Sequence, residues 1–95
     1  ADVCFIAAPQ SVEELALVAR SVSKPQLANM LVGGVTPILS ADELEELGFR
    51  ICVSPVESLA VTAFAVRALA HAMLHEGRVD GLVAQMTPFA ELKSL

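Results

Sequence analysis

Few residues in this chain combine type and spacing in a way that points to chemistry. Asn29 is the one amide inside a run, Leu27-Ala28-Asn29-Met30, that otherwise reads as core. Its NH2 group can orient a substrate carboxylate or carbonyl; an Asn that bonds neighbouring backbone at a strand end is the competing reading. Gly33-Gly34 follows shortly after and permits positive φ or a close approach of backbone to a ligand. Taken alone, the pair reads first as an ordinary loop turn. His71 and His75 are spaced four apart, with Arg67 another four before them. Two imidazoles at that spacing can share a metal, yet no third ligand is in view and the arginine would repel a cation. A solvated or subunit-facing stripe is the favoured reading. Asp42, Glu43, Glu45 and Glu46 fan around a helix axis, where acids in the first turns suit the macrodipole. Cys4 and Cys52 occupy matching positions in two strand-like runs. With one strand between them they would stand about 9.6 Å apart, beyond the roughly 7 Å that a disulfide spans, so they read as core thiols. No metal site is assigned.

The elements that must position these groups recur at an even interval. Apolar runs begin at residues 3, 27 and 51, each continuous rather than alternating, as parallel strands buried on both faces are. Strands are expected near 2–7, 26–30 and 50–54. Ser11-Val12-Glu13-Glu14 and Ser40-Ala41-Asp42-Glu43 read as capping boxes, in which the serine hydroxyl and the glutamate carboxylate each take one free amide. Leu15, Val18, Ala19 and Val22 form the core stripe of the first helix, and Gly48 ends the second. A third helix is expected from Val56 to Glu76, so apolar around its girth that more than one side should be covered. Shorter pieces follow near 79–85 and 87–92, the last with Thr87 as cap and Pro88 at its first position. Strands and helices in this order make a right-handed parallel α/β unit. Three such units are a natural part of a (β/α)8 barrel, whose chemistry sits at the carboxyl ends of the strands. Here those ends are Ala7-Ala8-Pro9-Gln10, Asn29 through Gly34, and Ser54-Pro55.

Composition narrows the classes further. Of the 95 residues 55% are apolar and 18% charged, which excludes a disordered chain. So apolar a chain is short of cover at this size, and it opens on Ala1-Asp2-Val3-Cys4-Phe5-Ile6, straight into a strand-like run without a methionine. Both features suggest an excised part of something larger, associating with the rest of a barrel or as a homo-oligomer. A net charge of -5, scattered bases and the absence of Trp and Tyr make nucleic acid a poor partner. The apolar stretch from Leu59 to Leu74 is interrupted by Arg67 and His71. It is expected to fall short of the roughly 20 clean residues a membrane span needs. No basic n-region precedes the first apolar run, and a soluble, cytoplasmic protein is expected.

The strand Ala1 to Pro9 with Ser11-Val12-Glu13-Glu14-Leu15 resembles the sixth βα unit of the isocitrate lyase/phosphoenolpyruvate mutase superfamily. Leu27-Ala28-Asn29-Met30 with Gly33-Gly34-Val35-Thr36-Pro37 resembles its seventh strand and loop. Leu44 to Arg50, leading to Ser54-Pro55, resembles the approach to its eighth strand. The resemblance implies the C-terminal three βα units of a (β/α)8 barrel, with short extra C-terminal helices. It also implies Mg²⁺-dependent cleavage or formation of C–C or P–C bonds on small 2-oxo or 2-hydroxy acids, the metal acting as a Lewis acid on an enolate-like oxyanion. The metal-binding acids are then expected in the first half of the barrel, outside these residues, and Asn29, Gly33 and Gly34 become the substrate-binding candidates. The family commonly has Glu in place of Ala7 and often in place of Val32. One branch has Thr in place of Leu31 and arginines in place of Ala60 and Phe89. Of that branch's substrate-binding set only Asn29 is kept. A different, less charged acid or a decayed, non-catalytic homologue would each account for the losses.

Overall fold

The three apolar runs pair side by side. In the computed structural model, which describes residues Ala1–Leu95, β1 (Cys4–Phe5), β2 (Gln26–Asn29) and β3 (Ile51–Val53) form one sheet in the order β1-β2-β3. Both pairings are parallel, and each strand is shorter than the expected span. Phe5 stands beside Leu27, Leu27 beside Ile51 and Asn29 beside Val53. The even interval of the sequence therefore holds between β2 and β3, while β1 is shifted along β2. Cys4 lies level with Gln26 and Cys52 with Ala28, so the two cysteines do not match in height. Both are free thiols, Cys4 half-buried and Cys52 exposed. Neither is a core thiol as expected: β1 and β3 are both edge strands of this sheet, and each leaves its cysteine short of full burial.

Two helices cover one face of the sheet in the unit Ala1–Ser58. At the start of α1 (Val12–Ser21) the Ser11 hydroxyl accepts from the Glu14 amide at 3.1 Å. The Glu14 carboxylate accepts from the Gln10 amide at 2.6 Å, one residue further out than a closed capping box requires. In α2 (Ala41–Leu47) the box is complete: Ser40 Oγ accepts from the Glu43 amide at 3.2 Å, and Glu43 Oε2 accepts from the Ser40 amide at 2.7 Å. Gly48 closes that helix at φ 108, a left-handed conformation with little steric cost only for glycine. Leu15 of α1 and Leu44 of α2 meet Ala28, Met30 and Phe49 in a small buried core. Gln26, also buried, donates Nε2 to the carbonyls of Val18, Ala19 and Val22.

The second unit, Leu59–Leu95, is mostly exposed. Helix α3 (Glu57–His71) starts in the first unit and runs into a π-helical turn, Ala72–Glu76. This chain supplies no cover for it: α3 buries no residue, with Leu59 and Phe64 69% and 73% exposed, and Leu74 in the following turn is 80% exposed. Together Glu57–Glu76 make 20 residues, and an 18-residue stretch of them has a mean hydropathy of 1.3, enough by length and composition alone to cross a membrane. The apolar stretch Leu59 to Leu74 is the middle of that helix, which reaches 20 residues by adding the polar ends Glu57-Ser58 and His75-Glu76. Arg67 near its middle still favours a protein cover, since arginine at the centre of a spanning helix costs about 2.5–3.5 kcal/mol. A 3₁₀ turn, Asp80–Gln85, and α4 (Phe89–Leu92) complete the chain. Thr87 does not cap α4: Pro88 holds that place with no side-chain bond, so the expected cap is corrected.

Candidate functional site

Strand periodicity places Asn29 on the side of the sheet away from α1 and α2. Gln26 reaches the α1 carbonyls and Ala28 joins the core, so the alternate residues Leu27 and Asn29 face the other way. In-register pairing puts Phe5, Ile51 and Val53 on that same face. Asn29 is thus the one polar side chain on an apolar surface. Its Oδ1 atom is buried and has no hydrogen-bond partner within the protein. An unpaired buried acceptor costs about 1–3 kcal/mol, which a ligand donor would recover.

Asn29 also lines a cavity of about 200 Å³ at the carboxyl ends of the strands, together with Phe5, Ala7, Ala8, Leu31 and Thr36. No charged side chain reaches it. Ala8 sits at its rim with φ 59, a region costly to a residue with a Cβ and often held for function. On the other side, Leu31 to Gly34 form a turn closed by the Gly34 amide donating to the Leu31 carbonyl at 3.0 Å. Gly33 takes φ 86 as the third residue of that turn, as a type II turn requires. A Cβ on Gly34 would meet the Leu31 carbonyl oxygen at 3.1 Å. The structure therefore brings Asn29 and Gly34 to the cavity wall and leaves Gly33 in the turn beside it.

The remaining candidates do not join this site. His71 and His75 lie in the second unit, their ring centroids 4.5 Å apart. Glu43 is engaged in its capping box. No group of three His, Cys, Asp or Glu side chains could hold a metal ion, and Asn29 Oδ1 stands without a carboxylate beside it. These residues by themselves do not fit a Mg²⁺ site. One group that the sequence reading passed over is Glu57. Its Oε1 accepts from the Val32 amide at 2.8 Å and its Oε2 from the Val56 amide at 3.1 Å. An acid just after Ser54-Pro55, at the end of a strand, was the available signal.

Two of these glutamates carry a pH dependence. The Ser40 amide and then its hydroxyl hold the Glu43 carboxyl below its ordinary 4.5, and the Val32 amide does the same for Glu57. A depressed folded-state value means stability that is present above the unfolded value and lost as pH falls through the folded one. Urea midpoints should therefore hold steady down to about pH 4.5 and then fall. Glu43→Gln should shrink that acid loss; an unchanged acid limb would contradict the assignment.

A parallel βα sheet with its unpaired polar group at the carboxyl ends of the strands defines an α/β protein with a site of the kind such sheets carry. No family model matches the chain. The 2-methylisocitrate lyase of Halalkalibacterium halodurans is 40% identical over 92 residues, covering 97% of this chain and 31% of that protein. The chloroplastic carboxyvinyl-carboxyphosphonate phosphorylmutase of Arabidopsis thaliana is 32% identical over 95 residues, 100% of this chain and 28% of that protein. The triclinic crystal structure of 2,3-dimethylmalate lyase, a PEP mutase/isocitrate lyase superfamily member, matches with a TM-score of 0.81 at 32% identity. It covers 98% of this chain and 33% of that one. The chain belongs to the isocitrate lyase/phosphoenolpyruvate mutase superfamily, and it spans about a third of the length of the relatives it matches.

Proposed function

We propose that these residues are the last three βα units of a (β/α)8 barrel, part of a lyase or mutase acting on small 2-oxo or 2-hydroxy acids. The observation that carries this reading is Asn29, a lone amide with an unpaired buried acceptor at the wall of a cavity. An amide offers both a donor and an acceptor, so it can hold a substrate carboxylate or carbonyl through Nδ2 and receive a hydroxyl at Oδ1. The cofactor implied is Mg²⁺, with ligands outside these 95 residues. The complete protein, assayed with Mg²⁺ against oxaloacetate and 2-methylisocitrate-like acids, tests the activity. Asn29→Ala should lower kcat/KM about 10- to 100-fold, the size of one lost hydrogen bond to a charged group. Loss of less than about twofold would remove Asn29 from the site.

A second reading, a non-catalytic homologue that only associates with other chains, is favoured by the uncharged cavity lining at Ala7, Ala8 and Leu31. Small dicarboxylates are held best by charge-assisted bonds, and none is offered here. Absence of turnover across a wide panel of acids, with oligomerisation intact, is the outcome that selects it.

A further inference from the structure

Three glutamates in the first unit reach from a helix start to a backbone amide, and one of them is unlike the others. Glu14 and Glu43 bond the amides of Gln10 and Ser40, four and three residues back in their own turns. Those bonds are local capping. Glu57 bonds the Val56 amide beside it but also the Val32 amide, 25 residues away in the loop between β2 and α2. Capping its own helix does not need that second bond. Val32 is the second residue of the Leu31–Gly34 turn, and both Leu31 and Gly34 line the cavity that Asn29 faces. Val32 is otherwise exposed, 66% by surface. Little packing fixes the turn, then, and the carboxylate supplies the restraint.

We propose that Glu57 is a positioning residue: by bridging the loops after β2 and β3 it sets the Leu31–Gly34 turn at the mouth of the cavity. This rests on the reading of that cavity as a substrate site, and the test separates the two. Hydrogen exchange and kinetics are measured on the complete protein carrying Glu57→Ala, Glu57→Asp or Glu57→Gln. Asp keeps a negative charge at the start of α3 but is one methylene too short to reach Val32, so it loses the bridge and keeps the cap. Exchange in the segment Leu31–Thr36 should rise about tenfold or more in Ala and Asp, while α1 and α2 stay protected. KM should rise several-fold with kcat within about twofold, because a misplaced turn weakens binding more than chemistry. Gln retains an accepting oxygen at the same reach and should restore both measures. Unchanged exchange at Val32 in Glu57→Asp, or a rise spread evenly over the helices, would overturn the proposal. If no acid is turned over at all, the substrate reading fails and the exchange result alone still decides the bridge.

Discussion

Leu44→Ala is expected to cost about 2–5 kcal/mol, and Leu15→Ala a similar amount. Leu15 and Leu44 are the two largest fully buried side chains in the chain. They meet from α1 and α2 over Ala28, Met30 and Phe49, with only Val18, Ala19, Leu39 and Leu47 packed around them. Truncating either leaves a void that so small a cluster cannot close without moving a helix. The two leucines share that cluster, so their effects should not add. Urea denaturation of the complete protein measures this. A loss below about 1 kcal/mol in both single variants would mean that the helices pack differently on the sheet.

The isolated 95-residue chain is expected to associate rather than remain a monomer. One face of its sheet carries Phe5, Leu27, Ile51 and Val53, with Phe5 54% exposed. Leu59, Phe64 and Met73 are uncovered as well. Exposed apolar surface gains about 25 cal/mol per Å² when covered, and an unpaired parallel edge is a template for another strand. Sedimentation at micromolar concentration should show dimers or larger species. Adding liposomes is the control for the long helix: partition into lipid in place of self-association would mean that the Glu57–Glu76 helix seeks a bilayer. A compact monomer in both conditions would contradict the account of these surfaces.

Most of the architecture was legible because it is written in local signals. The apolar runs around Cys4, Leu27 and Ile51, the serine-to-glutamate spacings and Gly48 each specify a strand, a helix start or a stop within a few residues. What sequence spacing could not supply was register. An even interval between runs does not say how far one strand slides along the next, and so the heights of Cys4 and Cys52 were misjudged. The third helix shows the same limit from another side: its apolar girth says that cover is wanted, and within these residues none is supplied. At the site, Asn29 stood out as an amide in an apolar run, whereas Glu57 did not. Its bond to Val32 joins loops 25 residues apart, and nothing in either loop's own sequence announces the other.

Gln26 has a bearing on how the first unit comes apart. Helix α1 has no glycine at its end; Val22, in extended conformation, follows it, and the carbonyls of Val18, Ala19 and Val22 are satisfied by the Gln26 amide. That residue is also the first of β2 and lies level with Cys4 of β1. A helix closed by its own glycine can fray without disturbing its neighbours. Here the final turn of α1 cannot loosen unless Gln26 lets go, and Gln26 is anchored in the strand pairing. The Gln26 carbonyl accepts from the Arg50 amide at 3.1 Å, just ahead of β3, so opening of the helix end and separation of β2 from the start of β3 become one cooperative event, with a single residue as the hinge pin between them.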